Sequence, residues 1–162
     1  MKFNDLQFAY QPKISASMCT WAVLETVNYF LQRESDVFLC SMDKTKAFDL
    51  VKYGTLFRKL KEKIGPVFLR LIIFIYTNQR SRVFFNNEAS TEFKIQNGVG
   101  QGKILAGFAY CFYCDELFNI LGKSGFGCRI EDTYAGMFGY SDDDILLAPS
   151  QSASNFSLIG FP

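Results

Sequence analysis

The feature that most constrains this chain is an acidic tip between two short apolar segments. One segment ends at Tyr140, aspartates occupy positions 142–144, and an apolar run continues from Ile145. Aromatic and aliphatic residues on both sides of a short polar break are typical of a β-hairpin. Adjacent carboxylates repel one another unless a cation neutralises them, and a divalent ion bound through oxygen ligands does so economically. The sequence therefore predicts a metal-binding turn, provided that another carboxylate comes from elsewhere in the chain.

Composition excludes several kinds of chemistry. The 162 residues are 49% hydrophobic, which is enough for one domain with a real core. The chain has no His, so Ser-His and Cys-His nucleophilic catalysis and His-ligated zinc are excluded. The five Cys residues lack the spacing of a disulfide framework or a zinc site, so we expect buried, reduced thiols.

The sequence also lacks the patterns that direct a chain to a membrane or out of the cell. No signal-peptide pattern opens it, and its most apolar stretch is too short to span a bilayer. We therefore expect an intracellular protein, in the cytoplasm or nucleus, which is not secreted and has no membrane partner.

Charge is distributed unevenly along the chain. Ten basic and two acidic residues between Lys44 and Arg82 give that stretch a net charge of +8, whereas the stretch from Asp115 to Asp144 carries −5. A basic block beside an acidic pocket suits a polyanion held near metal ions. A solvated basic helix face would explain the same block equally well.

A first helix and strand precede the basic block. A helix is predicted from Met18 to Leu31, and its apolar face would contain Trp21, Leu24, Val27 and Leu31. The apolar run 37–42 predicts a buried strand that ends at Asp43. An acid at the end of a buried strand is a common active-site placement, although a surface acid that caps the next element fits as well.

Further elements separate this strand from the acidic tip. Helices are predicted at 52–63, at about 67–78 and at 104–121, with a hairpin over 81–96. A glycine-rich loop, Asn97 to Gly102, precedes the last helix, where backbone N–H groups could receive phosphate. As a bare pattern this loop favours a purely structural turn over a phosphate site. Strands at 125–130 and 133–140 lead into the acidic tip, and a polar tail follows Pro149.

Three motifs in this order resemble those of reverse transcriptases. They are Asp43-Lys44-Thr45-Lys46-Ala47-Phe48-Asp49, Asn97-Gly98-Val99-Gly100-Gln101-Gly102 and Tyr140-Ser141-Asp142-Asp143. They look like the successive A, B and C motifs, and the non-LTR (LINE-like) retrotransposon branch is the most similar. The resemblance covers roughly residues 6–149.

The resemblance implies a role for each matching position. Asp43, Asp142 and Asp143 would be catalytic and would hold two Mg²⁺ ions, with Mn²⁺ as a possible substitute. Phe48 would be the aromatic gate that selects dNTPs, and Gln101 and Gly102 would support the incoming nucleotide. Asp144, beyond the pair, is interpreted as solvated. The expected nucleic-acid contacts come from the basic block: Lys52, Arg58, Lys59, Lys61 and Lys63.

The implied fold is α+β, a polymerase palm with partial fingers, in which helices pack on one face of an antiparallel sheet. We expect this domain over residues 1–149 and a short, poorly ordered polar tail at 150–162. A thumb is expected to be missing, so the chain would be a truncated member of its family. The implied function is RNA-directed DNA polymerase, with an RNA template, a DNA primer and dNTPs as partners. The alternative is an inactive retroelement remnant that at most binds nucleic acid.

Overall fold

The computed structural model describes residues 3–100 and 102–150, apart from the side chain of Ile104. The predicted tail therefore lies outside the described residues, except for Ser150. The helices are α1 (Ala16–Leu31), α2 (Tyr53–Lys61), α3 (Pro66–Thr77) and α4 (Ile104–Lys123). The strands are β1 (Phe38–Asp43), β2 (Arg80–Ser81), β3 (Phe84–Phe85), β4 (Glu88–Ala89), β5 (Phe93–Lys94), β6 (Arg129–Ile130), β7 (Thr133–Tyr134), β8 (Met137–Tyr140) and β9 (Asp143–Ala148).

The chain divides into two compact units. The central unit runs from Lys46 to Tyr113, and the terminal unit combines Lys2–Thr45 with Cys114–Pro162. Each unit has its own secondary structure, and each is described separately below. The expectation of a domain over 1–149 remains a prediction.

The terminal unit is built on a three-stranded antiparallel sheet in the order β1-β9-β8. The central strand β9 pairs with β1 from Phe38 opposite Ala148 to Asp43 opposite Asp143. It also pairs with β8, with Tyr140 opposite Asp143 at the end of the ladder. Strands β8 and β9 thus form the hairpin that the sequence predicts, and the acidic residues lie at its turn.

Both faces of this sheet carry apolar cores. Directly paired residues point to the same face and successive residues alternate. On one face Phe138, Ile145 and Leu147 join a cluster with α1 residues such as Val23. On the other, Met137, Leu146 and Ala148 pack with Phe118 and Leu121 of α4. The expected arrangement had helices on one face only; here both faces are covered.

Two predicted elements are correctly located, but their burial differs from the prediction. Strand β1 was expected to be buried, yet Phe38 and Leu39 are exposed, because β1 is the edge strand of the sheet. Helix α1 buries Cys19, Val23 and Thr26, whereas Trp21 is 63% exposed. The predicted apolar face of α1 is therefore largely exposed to solvent, because the helix turns the stripe of Cys19, Val23 and Thr26 toward the sheet instead.

The central unit contains two helices and a hairpin whose positions follow the sequence closely. Helix α2 buries Leu56 and Leu60 of its predicted stripe, and α3 begins with Pro66, which suits the first helical turn. Strands β3 and β4 flank Asn86 and Asn87, which both have positive φ, as a tight two-residue hairpin requires. The predicted hairpin is thus confirmed, with its turn at the two asparagines.

The structure confirms the α+β class predicted from the sequence. All five Cys residues are free; Cys19, Cys111 and Cys128 are buried as expected, while Cys40 is exposed on the edge strand. No helix among the described residues is long and apolar enough to cross a membrane.

Candidate active site

The end of the β1–β9 ladder brings two sequence-distant carboxylates together. Asp43, the last residue of β1, is directly opposite Asp143, the first residue of β9. We call Asp43 and Asp143 the exposed pair, because both are accessible to solvent. Paired residues project from the same face with Cβ atoms about 4.5–5.5 Å apart, so the two side chains are neighbours. Asp142, which is half-buried, lies beside them in the turn between β8 and β9.

The donor chemistry of this arrangement suits a hard divalent cation. Like charges directly opposite one another in a ladder destabilise the sheet, and a bound cation would remove that penalty. Carboxylate oxygens are the ligands that Mg²⁺ takes, with water and phosphate oxygens completing its shell. As placed in residues 3–100 and 102–150, however, no three Asp, Glu, Cys or His side chains are close enough together to hold a metal ion. The backbone juxtaposes the donors, and binding would require their side chains to converge.

The residue that follows each member of the exposed pair is charged as well, and Asp144 faces the opposite side of the sheet from Asp143. Asp144 is fully buried, and its carboxylate forms an ion pair with Lys44, whose side chain is 21% exposed. We call Lys44 and Asp144 the buried pair. Burial raises the pKa of the Asp144 carboxyl, the Lys44 ammonium lowers it, and Asp143 and Asp142 raise it further. The interpretation of Asp144 as a solvated residue is therefore wrong.

Strand alternation explains why that interpretation failed. Asp144 lies on the same face as Leu146, which is buried against α4. Asp143 lies on the other face with Ile145 and belongs to the last residue pair of the β1–β9 ladder. A side chain two residues before a core leucine in a strand points into the same core. In the sequence alone this rule does not separate Asp143 from Asp144, because apolar residues follow on both faces, and the register of the ladder decides between them.

A second residue at the site, Gln7, was missed by sequence reasoning. It is fully buried, and its side-chain oxygen accepts a hydrogen bond of 3.1 Å from the backbone N–H of Ser141 in the turn. Segment 6–8 also bonds to the backbone of Gly139, at 2.8 Å and 2.9 Å. A glutamine in a segment without periodicity carries no sequence signal for such a contact.

The other predicted site residues lie in the central unit. The Phe48 carbonyl accepts a bond of 2.8 Å from the Val99 N–H, and the Phe48 ring stacks on Tyr110 with centroids 4.8 Å apart. Gly98 has φ of +89°, and a Cβ there would be 3.0 Å from the Asp49 backbone. The first and second motifs are therefore in contact with each other, and glycine is required at that contact.

Two residues of the glycine-rich loop were assigned to the nucleotide. Gly102 is exposed with φ of +77° and has open space where a Cβ would project. Gln101 lies outside the described residues. Because Phe48, Gln101 and Gly102 do not belong to the unit that carries the aspartates, their roles toward the nucleotide stay predictions.

The predicted nucleic-acid residues differ in availability. Lys52, Arg58, Lys61 and Lys63 are exposed on or beside α2. Lys59 is half-buried, and its ammonium donates a hydrogen bond of 2.6 Å to the carbonyl of Tyr113. Four of the five basic side chains are thus accessible to phosphate, while Lys59 is engaged in holding α2 to α4.

Carboxylates brought together at the end of an antiparallel sheet are an arrangement that two-metal enzymes such as polymerases, nucleases and phosphatases use. The sequence matches the family profile described as reverse transcriptase (RNA-dependent DNA polymerase) over residues 1–158. The chain therefore belongs to the reverse transcriptase family. A comparison with curated proteins gives no match.

Solved structures that share this fold include two telomerases. Telomerase from Candida albicans in complex with a TWJ fragment of telomeric RNA aligns with a TM-score of 0.68 and 14% identity, over 90% of this chain and 28% of that one. Apo telomerase from Candida tropicalis, truncated from its C-terminal domain, aligns with a TM-score of 0.60 and 14% identity, over 86% and 30%. The chain thus spans less than a third of each neighbour, and at this identity the likeness shows the fold.

Proposed function

We propose that this chain is the palm and partial fingers of an RNA-directed DNA polymerase. It would transfer nucleotidyl groups from dNTPs to the 3′-OH of a DNA primer on an RNA template. The observation that carries the proposal is the register of β1 and β9, which sets Asp43 opposite Asp143 beside the turn residue Asp142. Membership of the reverse transcriptase family supports it.

Asp43, Asp142 and Asp143 would hold two Mg²⁺ ions. The chemistry that Mg²⁺ supplies when bound is activation of the primer hydroxyl and neutralisation of charge on the leaving pyrophosphate. The protein's own contribution is positioning: the exposed pair is fixed by the ladder, and Asp142 by the turn. Phe48 would select against a ribose 2′-OH, and Gln101 and Gly102 would support the incoming nucleotide.

The exposed bases Lys52, Arg58, Lys61 and Lys63 would contact the phosphates of the template–primer duplex. Such contacts release counterions, so binding should weaken steeply as salt increases. Lys59, also assigned to nucleic acid, would contribute less, because its ammonium is bonded to Tyr113. The net charge of +8 from Lys44 to Arg82 supports this surface.

We further infer that the chain belongs to the non-LTR branch, which the residues of its three motifs support. A non-LTR enzyme should copy a heteropolymeric RNA from an annealed primer. Incorporation on an arbitrary primed RNA, with no other RNA present, tests this assignment, and failure to copy such a template would count against it.

Primer extension on RNA tests the proposed function. The full chain should incorporate dNTPs in the presence of Mg²⁺, and Asp142→Asn should abolish the incorporation. A matched control is Asp132→Asn, because Asp132 is an exposed acid of the same unit in the turn before β7. Equal incorporation by the wild type and by Asp142→Asn would refute the assignment of the site.

One observation favours a second candidate, a non-catalytic domain that binds nucleic acid. As placed in the described part of the chain, the three aspartates do not form a metal-holding cluster. This candidate predicts salt-sensitive binding of a primed template without incorporation, unchanged by Asp142→Asn. Template-dependent incorporation by the full chain would exclude it.

A further inference from the structure

Gln7 is a buried polar residue that the proposed chemistry does not use. Among the described residues, only Gln7, Thr26 and Asp144 are polar or charged and buried. Thr26 donates to the carbonyl of Ala22 within its own helix, and Asp144 is paired with Lys44. Gln7 differs from both, because its side chain bonds to a turn that is 134 residues away in sequence.

The amide of Gln7 contacts both backbone polar groups of Ser141. Its oxygen accepts from the Ser141 N–H at 3.1 Å, and its nitrogen donates to the Ser141 carbonyl at 3.4 Å. The same oxygen also accepts from the N–H of Ala9 at 3.0 Å, which fixes the amide in its own segment. A buried amide that is satisfied in this way holds its partner rigidly, since losing a bond would leave a buried polar group unpaired.

Ser141 is the turn residue to which the Gln7 side chain is hydrogen-bonded. It lies between Tyr140 and Asp143, directly before Asp142, and its φ is +64°. A non-glycine residue in this left-handed region is strained and persists where its surroundings hold it. The two bonds from Gln7 supply that restraint, and they act on the peptide groups on both sides of Ser141.

The Gln7 side chain packs closely against Gly139 of the hairpin. Gln7 forms a parallel bridge with Gly139, next to the turn. A Cβ at Gly139 would be 3.2 Å from the Gln7 amide nitrogen and 2.7 Å from an Asp144 carboxylate oxygen. The amide thus enters the space beside the hairpin that the glycine leaves open.

We propose that Gln7 is the positioning residue of the acidic hairpin, setting the Ser141 turn so that Asp142 and Asp143 face a divalent ion together with Asp43. The metal part of this statement rests on the proposed function. The clasp on Ser141 stands on the hydrogen bonds alone. Segment 6–8 thereby helps to set the geometry of the acidic hairpin.

Hydrogen exchange of the full chain tests the clasp. Gln7→Met fills a similar volume without either bond, so the Ser141 amide should exchange about tenfold faster. Thr26→Val is the matched control, because it removes a buried hydroxyl from the same unit without touching the turn. Gln7→Glu keeps an oxygen that accepts from the Ser141 N–H but loses the donation to the Ser141 carbonyl, so the Ser141 amide should exchange faster in this variant than in the wild type. If folded Gln7→Met leaves Ser141 as protected as in the wild type, the clasp is refuted.

Mn²⁺ binding, followed by electron paramagnetic resonance, tests the consequence for the metal. Partners that orient metal ligands typically change affinity by about 10–100-fold, so Gln7→Met should weaken Mn²⁺ binding at least about tenfold. Thr26→Val should bind as the wild type does. If the wild type binds Mn²⁺ and Gln7→Met binds equally tightly, the positioning role is overturned. If the wild type binds none, the proposed function fails, and exchange at Ser141 still decides the clasp.

Discussion

Each member of the buried pair directly follows a member of the exposed pair in the sequence, and the two pairs have opposite environments. Asp43 and Asp143 are solvent-accessible and carry like charges, whereas Lys44 and Asp144 form a buried ion pair. Three consecutive aspartates are therefore not equivalent, because strand alternation sends Asp143 and Asp144 to different faces.

The two pairs also destabilise the folded protein in different ways. The exposed pair destabilises the sheet and would be retained for binding a cation. The buried pair requires desolvation of two charges, which an apolar pair of similar size would avoid. One pair thus bears on the proposed activity and the other on the packing of the sheet, and substitutions should separate the two effects.

The largest expected effect is on activity and comes from the exposed pair. Asp143→Asn keeps the size of the side chain and removes a proposed metal ligand, so incorporation should fall by about 100-fold or more. The free energy of unfolding should change by less than about 0.5 kcal/mol, because the side chain is exposed. Primer extension and urea unfolding measure the two quantities. If Asp143→Asn lowered the incorporation activity only in proportion to a lower free energy of unfolding, Asp143 would act through stability and not as a metal ligand.

The next effect is on stability and comes from the buried pair. Lys44→Met should leave the buried Asp144 carboxylate without its cation and lower the free energy of unfolding by about 3 kcal/mol. Lys63→Met, which removes an exposed cation, should change it by less than about 0.5 kcal/mol. Urea denaturation of both variants is the measurement. Equal stabilities would mean that the ion pair is not formed.

A smaller effect tests how tightly the buried face is packed. Gly139→Ala places a Cβ 2.6 Å from the Phe118 ring and 2.7 Å from the Asp144 carboxylate. It should cost about 2 kcal/mol of unfolding free energy through overpacking. Gly54→Ala, in α2 with open space around it, should instead stabilise the protein by about 0.5–1 kcal/mol. Thermal unfolding compares the two, and a stable Gly139→Ala variant would show that the face is loosely packed.

The smallest effect is expected when both members of the buried pair are replaced. Lys44→Met combined with Asp144→Leu removes both charges together, so the unfolding free energy should return to within about 1 kcal/mol of the wild type. The double variant should also keep its incorporation activity, because the exposed pair is untouched. A double variant as unstable as Lys44→Met alone would show that the lysine acts through packing rather than charge.

Local patterns in the sequence predicted the elements of the fold well. Helix α4 begins at Ile104 as predicted, and the hairpin turn at Asn86 and Asn87 follows from local residue preferences. Asp43 was placed at the end of its strand, because that strand is a short apolar run bounded by polar residues. Each of these features is specified by residues close together in sequence.

What could not be predicted depends on long-range pairing. The exposure of β1 follows from its place at the sheet edge, and the rotation of α1 from the cluster around Val23 and Leu147. Gln7 contacts Ser141 only because segment 6–8 bonds alongside β8. At the site, motif order indicated which aspartates come together, while the burial of Asp144 needed the face assignment that the ladder provides.

We propose that Asp43, Asp142 and Asp143 form a divalent metal site to which Asp144 does not belong. A Mn²⁺ titration of the folded chain, followed by electron paramagnetic resonance, tests this most directly. The wild type and the Lys44→Met/Asp144→Leu variant should bind Mn²⁺ alike, while Asp43→Asn and Asp143→Asn should each weaken binding at least about tenfold. Undiminished binding in both single variants, or loss of binding in the double variant alone, would contradict the account.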